Sequence, residues 1–274
     1  MKKASVAPIS LSKFNNGIFS QEEDLLAIEE PMEIRLIHGP STHRETLAVS
    51  VTMRTPGNDF ELAVGFLFTE GIIQSFDEII SVRYCPSDAE NSKAFNVVKV
   101  EISEEVQINK SNLQRNFYTT SSCGVCGKAS IDAIKQHCDS LGKLSFRVEP
   151  NVLLSLSEKL ASVQTVFKHT GGIHASALFD SKGNLLFHRE DVGRHNALDK
   201  LIGYLISQKE INPNETILLL SGRASFELVQ KAAMAKIPVI AAVGAPSSLA
   251  VETAKAMNIQ LFGFLRENRF NQYT

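Results

Sequence analysis

The apolar positions of this chain change rhythm along its length, and each change marks an element. After a polar start, Met32 to Ile37 and Leu47 to Met53 alternate apolar with polar residues around Gly39-Pro40-Ser41-Thr42, which predicts strand, turn, strand. Phe60, Ala63, Val64, Leu67 and Phe68 then recur at helical spacing, with Asn58 or Asp59 as the cap and Gly71 as the stop. Ile79 to Cys85 and Phe95 to Ile102 predict two further strands joined through residues 86–93, and residues 109–116 are polar. Residues 1–116 therefore read as a smaller α+β domain.

Beyond residue 128 the pattern becomes helical and then alternates. Ile131, Ile134 and Cys138 predict a helix ending near Gly142, and Pro150-Asn151 opens another that carries Leu153, Leu156, Leu160, Val163 and Phe167 as far as Gly171-Gly172. From Ile173 a strand, the turn Ser181-Lys182-Gly183-Asn184 and a second strand lead into a helix through Ala197, Leu198, Leu201, Ile202 and Leu205. Strands at Thr216 to Leu220, Pro238 to Val243 and Ile259 to Leu265 then enclose helices at Ser225 to Ala235 and Ser247 to Met257. Continuous apolar strands separated by helices predict a mostly parallel sheet with helices on both faces, so residues 129–274 read as an α/β domain.

Composition narrows the class. With 43% hydrophobic and 21% charged residues the chain has the make-up of a soluble globular protein, and a formal net charge of −2 argues against a general nucleic-acid binder. Lys2 and Lys3 are followed by no apolar leader segment, and the apolar run from Ile237 to Leu249 falls short of the roughly 20 residues a spanning helix needs. The expectation is a cytoplasmic protein that engages neither membrane nor nucleic acid, its four cysteines reduced.

Residues 117–128, Phe-Tyr-Thr-Thr-Ser-Ser-Cys-Gly-Val-Cys-Gly-Lys, lack apolar periodicity and read as a mobile loop carrying Cys123 and Cys126 at C-x-x-C spacing. Zinc would take such a pair as half of a tetrahedral site, but Cys85 and Cys138 are isolated and no second pair completes it, so no structural metal is expected. A zinc deaminase needs a catalytic glutamate two residues after its ligand, where His174-Ala175-Ser176 has serine. A dithiol oxidoreductase expects a βαβ context that the flanks do not supply. Incidental loop cysteines are the bland reading. Nucleophilic sulfur transfer is the remaining chemistry: a helix start just beyond the pair favours the thiolate, with Cys123 as nucleophile and Cys126 as accessory.

An acceptor pocket would come from three later stretches. Glu190 to Asn196, with Arg194 and His195, Ser221-Gly222-Arg223, and Gly244 to Ser248 each join a strand to a helix, where backbone N–H groups favour phosphate. Gly, Ser and Arg are also ordinary turn, cap and surface residues. His169 and His174 flank the paired glycines as candidate proton carriers or as hydrogen-bonded bystanders. Arg266 and Arg269 lie just past the predicted last strand, placed to clamp a pyrophosphate.

Taken together, Ser121 to Gly127, Gly171 to Ala177, Glu190 to Lys200, Ser221 to Arg223 and Phe264 to Arg269 make the chain resemble the formate dehydrogenase accessory sulfurtransferases. The resemblance implies a sulfurtransferase that takes sulfur from a cysteine desulfurase as a Cys123 persulfide. It implies transfer to the molybdenum bis(molybdopterin guanine dinucleotide) cofactor, with formate dehydrogenase as client. It also implies Cys126 as second loop cysteine, Phe264, Leu265, Arg266, Glu267, Asn268 and Arg269 as cofactor-binding segment, a homodimer, and a three-layer cytidine deaminase-like carboxyl-terminal domain. Fold kinship alone carries no chemistry. Two other readings stay open: a non-catalytic chaperone for the cofactor, and a C-x-x-C dithiol oxidoreductase.

Overall fold

A computed structural model describes residues 4–85, 95–108, 140–142 and 144–274. The C-x-x-C loop with Cys123 and Cys126, and the helix expected at 128–138, lie outside the described residues.

The chain begins with an antiparallel hairpin, β1 (Val6–Asn15) and β2 (Ile18–Ala27), where the sequence reading has only a polar start. Its turn is Asn16-Gly17, with φ of 49° and 85°, the paired positive angles of a tight primed turn. Phe14, Ile18 and Phe19 at the tip are exposed, so this ribbon forms without an apolar face of its own to bury.

A four-stranded sheet follows, in the order β4-β3-β6-β5, from β3 (Glu30–His38), β4 (Glu45–Arg54), β5 (Ile79–Tyr84) and β6 (Val97–Ile102). Helix α1 (Asp59–Thr69) covers one face, packing Leu62, Ala63, Val64 and Leu67 on Met32, Ile34, Leu36, Val49, Val98 and Val100. Asn58 stands at the cap position but in the left-handed conformation, without a capping side-chain bond. Asp59 is drawn elsewhere: both its oxygens accept from the buried Arg54 guanidinium, at 3.1 and 2.8 Å.

The second sheet has six strands in the order β12-β11-β10-β9-β7-β8: β7 (His174–Asp180), β8 (Leu185–Asp191), β9 (Thr216–Leu220), β10 (Val239–Ala242), β11 (Gln260–Arg266) and β12 (Arg269–Gln272). Helix α2 (Pro150–Val163) covers one face, while α4 (Arg194–Ser207), α5 (Phe226–Met234) and α6 (Ser248–Ala256) cover the other. Alternation along β9 divides the core: Ile217 and Leu219 face the α2 side, Leu218 and Leu220 the three-helix side.

Three expectations need correction. The sheet is mixed, since only β9, β10 and β11 run parallel. The Ser181–Asn184 turn is too short for a crossover and makes β7–β8 antiparallel, and β12 folds straight back on β11. The last strand is therefore β12, and Arg266 and Arg269 face each other across a terminal hairpin. The helix expected from Pro150 to Gly171 is broken at Gln164 into α2 and α3 (Thr165–Thr170). The Glu190 carboxylate accepts from the N–H groups of Val166 and Phe167, at 3.1 and 3.0 Å, and so caps a new helix start.

The two sheets are joined where α1 crosses α4 at Gly65 and Gly203. A Cβ at Gly203 would lie 1.9 Å from the Glu61 carbonyl oxygen, and one at Gly65 would lie 1.8 Å from that of Asp199, so only glycine permits this approach. Beside the crossing, the buried Lys231 ammonium donates to Thr69, Asp199 and Glu70 at 2.8, 3.1 and 3.2 Å. Burial works against its charge. The Asp199 and Glu70 carboxylates outweigh burial and raise its pKa above the ordinary lysine value.

Candidate functional site

The topology gathers the sequence-predicted joints on one edge of the six-stranded sheet. His174 opens β7 opposite Asp191, which ends β8, while Ser221, Gly244 and the β11–β12 turn follow the carboxyl ends of β9, β10 and β11. This is where open α/β sheets present ligand crevices.

The loops after β9 and β10 are locked to each other. Gly244 N–H donates to Gly222 O at 2.8 Å, Ala224 N–H to Ala245 O at 3.2 Å, and Ser247 N–H to Ala224 O at 3.0 Å. Phe264 N–H then donates to Gly244 O at 3.1 Å, tying the β11 turn to the same block. These four amides are consumed within the protein and are not available to a ligand.

The first turn of α4 is fixed from behind by a buried cluster. Asp191 accepts from Gly193 N–H at 2.8 Å, from Asn196 Nδ2 at 3.2 Å and from Thr55 N–H at 3.1 Å, and pairs with Lys200 Nζ at 2.6 Å. Lys200 also donates to Thr55 O at 2.8 Å, and Asn196 Nδ2 to Met53 O at 2.7 Å. The end of β4 thus holds the helix start that presents Arg194 and His195. Sequence reasoning named Asp191 and Lys200 within longer phrases but gave them no role. Their signal was a lysine between Leu198 and Leu201, on a stretch of helix whose neighbouring positions are largely apolar.

Arg194, Ser221 and Arg223 come together with His174 around a cavity of about 10 Å³, the room of one water molecule. Ser221 Oγ accepts from Ala175 N–H at 2.8 Å, which leaves its own O–H free to donate. His169 does not line the cavity. Burial, followed by the nearby Arg194 charge, holds His174 below the ordinary imidazole range, with Asp191 opposing. His195 turns instead toward α5, its Nε2 lying 3.9 Å from Glu227 Oε2, in ion-pair range but beyond a hydrogen bond. That imidazole is the first cause that draws Glu227 down to about 2.

In the segment 264–269, Leu265 is buried in the core on the α2 side, so its side chain does not face a ligand, whereas Arg266, Glu267, Asn268 and Arg269 are exposed. Phe264 is also exposed and holds φ of 54° at the irregularity in the β11–β12 pairing. A bulky residue at positive φ is a genuine outlier, and such strain concentrates at ligand clamps. Arg266 donates to Val243 O and Leu265 O.

The arginines divide by place. Arg35, Arg44, Arg54, Arg83, Arg147 and Arg189 each have a carboxylate within 4.0 Å. Arg194, Arg223, Arg266 and Arg269, all at this edge, have none among the described residues. Guanidinium groups left without carboxylates beside a crevice have donors available for an anion.

The FdhD/NarQ family model matches residues 28–274, and the chain belongs to this family. It is 47% identical over 266 residues to the sulfur carrier protein FdhD of Streptomyces avermitilis, covering 95% of this chain and 91% of that one. It is 40% identical over 269 residues to the protein of the same name from Sulfurisphaera tokodaii, covering 98% and 97%. A crystal structure assigned as a formate dehydrogenase accessory protein from Desulfotalea psychrophila superposes with a TM-score of 0.74 at 22% identity, covering 99% of this chain and 98% of that one, and shares the fold.

Proposed function

We propose that this chain is a sulfur carrier for the molybdenum bis(molybdopterin guanine dinucleotide) cofactor in the maturation of formate dehydrogenase. The Cys123 thiolate attacks the terminal sulfur of a persulfide on a cysteine desulfurase. The donor's S–S bond breaks, its electron pair leaves with the donor thiolate, and Cys123 retains the sulfur as its own persulfide. The Cys126 thiolate then attacks Cys123 Sγ, the persulfide S–S bond breaks, the outer sulfur leaves as hydrosulfide with its electron pair, a Cys123–Cys126 disulfide remains, and the cofactor, as substrate, takes up the hydrosulfide at the six-stranded sheet edge. The names borne by relatives at 40–48% identity support the carrier role.

The observation that carries the acceptor site is the set of arginines with no carboxylate partner among the described residues, Arg194, Arg223, Arg266 and Arg269, with the exposed Phe264 near the β11–β12 turn at the same edge. Two phosphates need such donors, and a guanine base needs an aromatic face. The one-water cavity is too small for a nucleotide, so the dinucleotide lies across its mouth with the arginines reaching over it. Cytosolic action as a homodimer with a cytidine deaminase-like carboxyl-terminal domain completes the reading.

The test is binding of the guanine dinucleotide cofactor to the full chain. Arg194→Ala and Arg223→Ala each weaken it by about tenfold or more, the worth of a charge-assisted hydrogen bond. Normal affinity in the double variant would remove the site. A chaperone that only binds and delivers the cofactor would share this edge; the Cys123→Ala, Cys126→Ala variant then separates the readings, because a carrier binds cofactor but no longer activates formate dehydrogenase.

A further inference from the structure

The proposed cofactor site leaves His174 without a task, yet its imidazole sits at the cavity with Arg194, Ser221 and Arg223. The ring rests against Gly222, where an added Cβ would meet Nδ1 at 3.3 Å, so a larger residue there would press on it. Among the described residues neither ring nitrogen has a hydrogen-bond partner. A half-buried imidazole beside two arginines, with room for a single oxygen-sized atom, is set up to meet an anion.

We propose that His174 is a third cationic ligand for a phosphoryl oxygen held between Arg194 and Arg223, and that binding of a diphosphate diester takes up a proton on its ring. This rests on the cofactor-site reading above and adds a residue and a linkage to it. The groups facing His174 are Arg194 and His195 from α4, Asp191 from the end of β8 and Arg223 from the loop after β9. In the free protein burial and Arg194 keep the ring neutral near neutral pH. An anion in contact with the ring opposes the Arg194 charge and outweighs burial, favouring the imidazolium, so the bound-state pKa exceeds the free one. Affinity is therefore greatest below the free value and declines as pH rises through the bound one.

Binding of GDP-mannose to the full chain, followed by calorimetry at about pH 6 and about pH 8 in buffers of different ionisation heat, tests this; its doubly esterified diphosphate keeps constant charge over that range. The native chain should bind about threefold more tightly at the acid end, part of the tenfold that a one-unit rise in pKa gives only well below the free value, with net proton uptake. His174→Gln should bind with the alkaline affinity at both pH values and take up no proton, while His195→Gln keeps the dependence. A native affinity indifferent to pH, or a dependence that survives His174→Gln, overturns the proposal while leaving the anion site standing. Failure of GDP-mannose to bind at either pH, or binding indifferent to Arg194→Ala and Arg223→Ala together, overturns the cofactor-site reading and this proposal with it.

Discussion

Replacing Gly203 by alanine inserts one methyl group where α4 touches α1. Its Cβ would lie 1.9 Å from Glu61 O, 2.8 Å from Glu61 C and 2.7 Å from Gly65 N, all backbone atoms that cannot swing aside. Restoring ordinary contact requires the helices to part by about 1.5 Å. Overpacking of this kind costs about 1–3 kcal/mol. The same separation stretches the 2.8 Å bond from Thr69 to Asp199 and the 3.1 Å bond from Lys231 to Asp199, each worth about 1.5–3 kcal/mol because a charge takes part. A total of at least about 4 kcal/mol, or a fall of roughly 10 °C or more in Tm for a chain of this size, is expected. Urea unfolding followed by far-ultraviolet circular dichroism measures it, with Gly142→Ala, where a Cβ meets nothing within 4 Å, as the neutral control. A Gly203→Ala stability within about 0.5 kcal/mol of the native value would refute the glycine crossing.

Lys231→Met should cost about 3–5 kcal/mol by leaving the buried Asp199 carboxylate unpaired, and adding Asp199→Leu should recover most of that in the same unfolding assay. Glu227, drawn down to about 2 from 4.5, contributes stability that is fully present above pH 4.5 and is lost as pH falls through the folded value. Thermal midpoints taken across that window should flatten in Glu227→Gln, and an unchanged acid slope would remove the His195–Glu227 pairing. Phe264→Gly should stabilise the fold by about 1 kcal/mol, by relieving a bulky residue at φ 54°, while weakening guanine-nucleotide binding by about tenfold through loss of stacking. Calorimetry beside urea unfolding would show the two effects moving oppositely, and a parallel loss of both would mean that Phe264 is structural.

The regular part of the fold was legible because burial writes itself into periodicity. Thr216 to Leu220 and Val239 to Ala242 are buried along their whole length, and the sequence shows them as continuous apolar runs. Pairing direction was less legible: an apolar strand reads alike whether its neighbour is parallel, so the antiparallel β7 and β8 were absorbed into an expected mostly parallel sheet, and the short, exposed β12 was not read as a strand. The β1–β2 hairpin buries little and left no apolar rhythm, although Asn16-Gly17 is the strongest short hairpin signal and was there to be used. At the site, helix-terminus reasoning brought Arg194, Ser221 and Arg223 to one edge. It could not foresee that Asp191 and Lys200 anchor α4 to β4, because that depends on chain segments about 140 residues apart. Nor could it separate arginines with carboxylate partners from those without, which is a property of three-dimensional neighbours.

The central claim is that sulfur travels on Cys123. Incubating the full chain with a cysteine desulfurase and cysteine, then measuring the mass of the peptide spanning residues 117–128, tests it most directly. The account predicts a gain of one sulfur atom localised to Cys123, removed by thiol reductant and missing in Cys123→Ala. An adduct that persists in Cys123→Ala, or no adduct on the native chain while the desulfurase turns over, would contradict it.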